Sequence, residues 1–305
     1  MAYPKGFNVS GLSAYVKENR DNILRKVILE GDTISKMAKQ LGVKTKERLH
    51  YFSLDPVFQD GKGCGFSAKG QTNLTEKDIE VAPIKVNDEW CNDDLLGKFA
   101  EYLVRFGADA NAENLAFEEL ISDELIKNIN KEMERLVWQG DTSNTGATDL
   151  IDGLLTLAKN DDNTIEADVT DSVYGAVKNV IMAIPEEILD DAVVFLSPAL
   201  FRQLVFELLE MNNFHIAPEE IEKGEFYFPG TTIAIHKTIG LTGVEDIYAS
   251  TWKNMVYATD LMDDKEELRF WFSDDSDLHR LKVKWVAGVN TYFSDYVVLG
   301  GYSEQ

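Results

Sequence analysis

The chain has 305 residues, 44% hydrophobic and 27% charged, with only 21 Gly and 7 Pro, which is globular composition and excludes a disordered or fibrous chain. Its longest apolar stretches, residues 180–185 and 192–196, fall far short of the roughly 20 residues that cross a bilayer. Thirty Lys and Arg against 53 Asp and Glu leave a net charge of −23, which repels nucleic-acid phosphates and anionic lipid.

At about 150 residues per domain the length suggests two domains. The start, Met1-Ala2-Tyr3-Pro4-Lys5-Gly6, lacks an apolar core and cleavage site, so cytoplasmic synthesis is expected. Residues 1–50 hold ten basic and five acidic residues, leaving 20 basic against 48 acidic in the rest. A basic arm therefore precedes an acidic body, and its mixture of charge with helical apolar spacing points to docking on an acidic surface, its own or a neighbour's.

In the arm, Leu12, Tyr15, Val16, Ile23, Leu24, Val27 and Ile28 recur at helical spacing after Ser10, an N-cap. A second helix is expected over residues 33–41, stopped by Gly42. Residues 51–58 and 78–90 read as extended, the second interrupted by Pro83 in the manner of an edge strand. Between them the glycine-rich tract from Gly61 to Asn73 reads as a projecting hairpin tip centred near Gly70, setting Cys64 near Lys77 and Cys91 near Tyr51. A helix over residues 92–106 follows. After it, Asn111 caps a helix of some 28 residues with an apolar stripe of Phe117, Leu120, Ile121, Leu125, Ile129, Met133, Leu136 and Val137, ending at Gly140. A polar turn leads to Ile151-Asp152-Gly153-Leu154-Leu155. Residues 171–184 are expected to be helical, and residues 192–196 a strand that runs through Ser197-Pro198 into a helix over 199–211. The remainder is β-rich: 231–236, 247–249, 254–259, 268–272, 281–289 and 291–299. Leu281, Val283, Trp285 and Ala287 share one face against Lys282 and Lys284, so that sheet is half-solvated. The class is α+β.

Chemistry is sparse. Gly61-Lys62-Gly63-Cys64-Gly65 fits neither a phosphate loop nor a dinucleotide fingerprint. The four histidines, His50, His215, His236 and His279, are scattered, no Gly-x-Ser-x-Gly elbow occurs, and Cys64 and Cys91 read as free thiols. Residues 141–152 place oxygens in the order of a calcium loop, which makes Asp141, Asp149 and Asp152 the only metal candidates. Asp stands where the loop needs a bidentate Glu, so an ordinary turn is the favoured reading. The acidic run over residues 260–277, eight acids against Lys265 and Arg269, reads as a solvated hairpin or a partner for the arm. No cofactor and no catalytic residue is expected.

The order of these parts carries more than any single motif. A basic arm, a glycine-tipped hairpin and a long helix leaving through Glu134-Arg135-Leu136-Val137-Trp138-Gln139-Gly140 are followed by Gly153-Leu154-Leu155. Then come a strand entering Ser197-Pro198, Phe228-Pro229-Gly230-Thr231-Thr232-Ile233, and Trp252-Lys253-Asn254-Met255-Val256-Tyr257 before the closing strands. This resembles the major capsid protein of tailed bacteriophages, the Hong Kong 97 fold, with the flavour of phages of Bacteroides-like hosts. The resemblance implies an N-terminal arm (residues 1–48), an E-loop hairpin (49–92), a peripheral domain (93–148 with 255–305) containing the spine helix, and an axial domain (149–254). It implies a non-enzymatic subunit that forms hexamers and pentamers of an icosahedral head around double-stranded DNA, without binding that DNA specifically. The implied partners are copies of itself, a portal protein at one vertex, and scaffolding and cementing proteins. With only about 48 residues before the loop, scaffolding is expected to be a separate protein or absent. Assembly is implied in the host bacterial cytoplasm and residence in the virion, with no membrane partner. Lys17, Arg20, Arg25, Lys26, Lys62, Phe66 and Lys69 are the implied subunit-interface residues. Lys62 or Lys69 with Asn290 matches the residue types of the family's covalent cross-link, although unlinked chains are expected. An encapsulin-like compartment enclosing an enzyme, and a carboxylate-dependent hydrolase, are the alternatives.

Overall fold

The computed structural model describes residues 15–55, 57–58, 69–91, 113–146, 149–211, 223–260, 267–273, 275–276 and 278–302. The described elements include helices α1 (Arg20–Leu29) and α2 (Asp32–Lys36), followed by β1 (Ala38–Leu41), β2 (Lys46–Asp55), β3 (Gln71–Glu80) and β4 (Ala82–Cys91). The spine helix α3 (Glu113–Gln139) leads to α4 (Leu154–Asn160), β5 (Ile165–Glu166), α5 (Val173–Ala183), β6 (Ala192–Leu196) and α6 (Pro198–Glu210). Among the described residues, strands follow to the end: β7 (Glu225–Tyr227), β8 (Ala234–Lys237), β9 (Asp246–Thr251), β10 (Met255–Thr259), β11 (Glu267–Ser273), β12 (Leu278–Thr291) and β13 (Val298–Gly301). The class is α+β, as expected.

The first sheet is organised by β12. Its residues 278–287 pair antiparallel with β4 on one side, while β11 and β10 share the other. The second sheet runs β5-β13-β9-β6-β8-β7, and β2 and β3 form a separate hairpin. Period-2 alternation assigns each face to a layer. In β10, Met255 and Tyr257 join the main core with α1, α3 and α4, whereas Val256 and Ala258 meet Val43, Leu49 and Ile79 at the hairpin base. In β6, Val193 and Phe195 face that main core, and Val194 and Leu196 pack under α5 and α6. This double coverage explains why the run Ala192–Leu196 is wholly apolar. In β12, Leu281, Val283 and Trp285 are buried with Lys282 and Lys284 only partly covered, until the hairpin base seals the second face beyond Val286.

Local signals set several boundaries. Ser197 Oγ accepts from the Leu200 amide and Pro198 opens α6, and Ser172 Oγ caps α5 in the same way through the Gly175 amide. Gly140 and Gly153 stop and restart the chain in mutual contact, the Gly153 amide donating to the Gly140 carbonyl at 2.8 Å, and a Cβ on either would overlap backbone.

Four expectations are corrected. The helix expected over residues 33–41 ends at Lys36, because residues 38–41 instead pair parallel with β10 and satisfy its open edge. The extended segment expected over 78–90 is two strands broken at Val81, and the edge reading of Pro83 holds, since β4 pairs only with β12 among the described residues. The hairpin register pairs Lys46 with Glu80 and Asp55 with Gln71, which centres the tip near residue 63, not Gly70. Lys77 therefore faces Leu49, and Cys91 faces Leu278 rather than Tyr51. The strand expected over 291–299 is interrupted by a turn of 3₁₀ helix (Ser294–Tyr296), after which β13 joins the second sheet. Cys64, the 92–106 helix and most of the hairpin tip lie outside the described residues.

Candidate assembly surfaces

The hairpin is two ten-residue strands, about 33 Å long at 3.3 Å per residue. Its even-numbered face carries a ladder of charge pairs: Lys46 with Glu80 at 2.8 Å and Asp78 at 3.0 Å, and Arg48 with Glu76 at 2.8 Å. Each is exposed and worth at most about 1 kcal/mol, so the ladder sets register more than stability. The base is held more firmly. Lys77 Nζ donates to Asp161, to Thr291 Oγ1 at 3.2 Å and to Ser294 Oγ at 2.8 Å. Burial opposes the Asp161 charge, but Ser294, the Asn163 amide and Lys77 outweigh it and hold the carboxyl below its ordinary range. Asn290 Nδ2 donates to the Asp78 carbonyl at 2.7 Å, and Gly288 sits so close to the Glu80 carbonyl that a side chain there would overlap it. At the far end Phe58 is 97% exposed, with Val57 exposed beside it.

Helix α1, in the described part of the arm, packs inside the chain. Ile23, Leu24, Val27 and Ile28 of α1 are buried in the main core, each contributing about 1.5–3 kcal/mol. Below α1, the short helix α2 is clamped by a polar knot. Glu134, 3% exposed, reaches across from the spine, and its Oε1 accepts from the Thr33 amide at 2.8 Å and the Ile34 amide at 3.4 Å. A distant carboxylate thus caps amides that no local residue satisfies. Burial raises the Glu134 pKa, although the Thr33 and Ile34 bonds work against the shift. Trp138 Nε1 donates to Thr33 Oγ1 at 3.0 Å, while its ring packs on Phe195 and Tyr248. Buried His236 lies 3.4 Å from Asp32 and 4.0 Å from Glu225, which Lys36 also pairs at 3.3 Å. The His236 contact, ahead of the opposing effect of burial, holds Asp32 below its ordinary carboxylate range.

Of the expected interface residues, Lys17, Arg20, Arg25 and Lys69 are exposed and Lys26 is partly covered, 4.0 Å from Asp123 of the spine. Lys62 and Phe66 lie outside the described residues. Asn290, considered for a cross-link, is buried and bonded within its own chain. The calcium-loop candidates are engaged as turn acceptors. Asp141 Oδ1 takes the Ser143 amide and hydroxyl, which lower its pKa, Asp152 Oδ1 takes the Thr142 amide and hydroxyl, and Asp149 Oδ2 takes the Gly146 amide. Among the described residues no three His, Cys, Asp or Glu side chains are grouped to hold a metal. No helix among them is long and apolar enough to cross a membrane. Sequence reasoning missed Glu134 and Phe58. The signal for the first was an acid beside Met133 on the apolar stripe, and for the second an apolar pair, Val57-Phe58, in a polar loop.

No family model and no curated protein matches the chain. Solved structures do. A chain of the satellite phage P4 procapsid with its size determination (Sid) protein superposes with a TM-score of 0.62 at 12% identity, covering 99% of this chain and 93% of that one. The chain has a phage capsid fold. The capsid of an empty GTA particle agrees at TM-score 0.56 and 9% identity, over 91% of this chain and 90% of that one. So does the capsid of Myoviridae phage XM1, at 0.52 and 14% identity over 87% and 90%.

Proposed function

We propose that this chain is the major capsid protein of a tailed phage, of Hong Kong 97 type, which assembles with copies of itself into hexamers and pentamers of an icosahedral shell around double-stranded DNA. The observation that carries this reading is the likeness to capsid chains over nearly the full length of both partners. The β2–β3 hairpin, a two-stranded sheet separate from the other two, supports it as the counterpart of the E-loop. In this reading β2 and β3 form the E-loop, α3 is the spine, the sheet built on β12 belongs to the peripheral domain, and the sheet containing β6 belongs to the axial domain, which β13 rejoins. The net charge of −23 keeps packaged DNA from adhering to the wall. The subunit carries no catalysis and no cofactor. It resides in the virion after assembly in the host cytoplasm, with a portal at one vertex and separate scaffolding and cementing proteins as partners. The assignment to Bacteroides-like hosts rests on the sequence resemblance.

The test is negative-stain electron microscopy with light scattering on the protein expressed alone. Hollow shells or rings of five or six subunits are expected. A monomer that persists at high concentration with scaffold added would overturn the reading, and shells that copurify with an enzyme and no DNA would replace it with a cargo compartment.

A further inference from the structure

We propose that His236 is a proton-operated latch within one copy of the chain: its imidazolium joins Asp32 of α2 to Glu225 of β7, and the neutral ring does not hold both. His236 is 3% exposed and sits on β8. Its Nε2 lies 3.4 Å from Asp32 Oδ2 and its Nδ1 4.0 Å from Glu225 Oε2, yet neither buried nitrogen completes a hydrogen bond. A neutral imidazole carries one N–H and one lone pair. In either tautomer the lone pair therefore faces a carboxylate, and only the imidazolium donates on both sides. Phe195 and Trp252 fix the plane of the ring, each packed edge to face on it with centroids at 5.8 and 5.3 Å.

The charged groups around the ring come from four elements. Helix α2 supplies Asp32 and Lys36, whose Nζ pairs with Glu225 at 3.3 Å and lies 4.9 Å from the Trp252 ring centroid. Strand β7 supplies Glu225, and on β8 the next residue, Lys237, extends its Nζ over the Phe201 ring of α6. The spine supplies Glu134, engaged by the Thr33 and Ile34 amides. The ring nitrogens thus meet carboxylates on both sides, with Lys36 balancing the one at Glu225. Asp32, held below its ordinary range, contributes above the unfolded carboxylate value, and its part is lost as pH falls through its folded value. The latch is therefore closed in mild acid and loosens as pH rises through the imidazole range, about pH 5–8. Because α2 joins α1 to β1, the latch sets how firmly that join is held to the second sheet.

Peptide-resolved hydrogen exchange on the full chain tests this, with each rate divided by the intrinsic rate at the same pH. Parent and Asp32→Asn are compared at about pH 5.5 and about pH 8.5, on either side of most of the imidazole range. The Asp32 side chain is half-exposed, so the variant keeps the fold, which unchanged exchange in β6 checks. Asp32→Asn is expected to speed exchange in α2 on the order of tenfold at the lower pH and about threefold or less at the higher one, the difference between a charge-assisted and a neutral donor. Removing the Asp32 charge from the start of α2 acts equally at both pH values, so the contrast between them isolates the proton on the ring. Glu134 also titrates against α2, and the comparison is repeated in Glu134→Gln, where the same contrast is expected. An Asp32→Asn effect that is equal at the two pH values, or a contrast that vanishes in Glu134→Gln, overturns the latch.

Discussion

Glu134 makes the sharpest prediction about what holds the arm in place. Its Oε1 accepts the Thr33 and Ile34 amides in a site where the residue is 3% exposed. In Glu134→Ala the charge-assisted bond is lost, worth about 1.5–3 kcal/mol, and two buried amides lose their acceptor, at about 1–3 kcal/mol. Because these overlap, a loss of about 2–4 kcal/mol is expected. Glu134→Gln keeps an oxygen facing Thr33 and removes a charge that burial disfavours, so its cost is expected below about 1 kcal/mol. The pH dependence gives a second handle. The folded carboxyl has a raised pKa, so between the ordinary Glu value and that raised value the folded state binds more protons than the unfolded state. The stabilisation is complete below the unfolded pKa and is lost as pH rises through the folded one. Urea denaturation followed by tryptophan fluorescence, on parent and both variants from pH 4 upward, reads this out. The parent should lose stability relative to Glu134→Gln as pH rises. Equal destabilisation by Ala and Gln, or a parent-minus-Gln difference that is flat in pH, would refute the capping role.

Two further outcomes follow from the same geometry. Gly240→Ala places a Cβ into the Trp138 ring and the Glu134 carbonyl and should cost about 1–3 kcal/mol or more by overpacking, seen as a lower melting temperature, while Gly146→Ala, which faces open space, should not. Lys77→Met removes the donor to Asp161, Thr291 and Ser294 and should speed amide exchange in β2 and β3 well before exchange in β6, a contrast that peptide-resolved hydrogen exchange measures.

The spine helix and the β6-to-α6 passage were legible because one period and one cap sufficed: an apolar stripe ending at Gly140, and Ser197-Pro198 after a wholly apolar strand. Residues 33–41 were not, because Ile34, Met37 and Leu41 satisfy a helical spacing that the open edge of β10 overrides. The hairpin register shows which signal to trust. Glycine content marks a tip without locating it, since glycine has no side chain to face a partner. The opposed charges of Lys46 and Arg48 against Glu80 and Asp78, with His50 opposite Glu76, do locate it, because only the register seen brings all three pairs onto one face.

On the proposed shell reading, the structure also changes where cohesion between copies would come from. A basic arm ahead of an acidic body suggested electrostatic docking of the arm, but the apolar stripe of α1 and the amides of α2 are consumed by the chain's own spine. What the described part of the arm presents on an exposed face includes Lys17 and Arg25, and exposed ion pairs contribute at most about 1 kcal/mol each and fade with salt. Among the described residues, the apolar side chains left exposed include Phe58, Met182, Phe206 and Tyr227, and contacts made through them do not fade with salt. Assembly governed by the arm would weaken steeply with ionic strength, whereas assembly governed by those apolar side chains would persist or strengthen in high salt, with the charges steering the encounter rather than holding it.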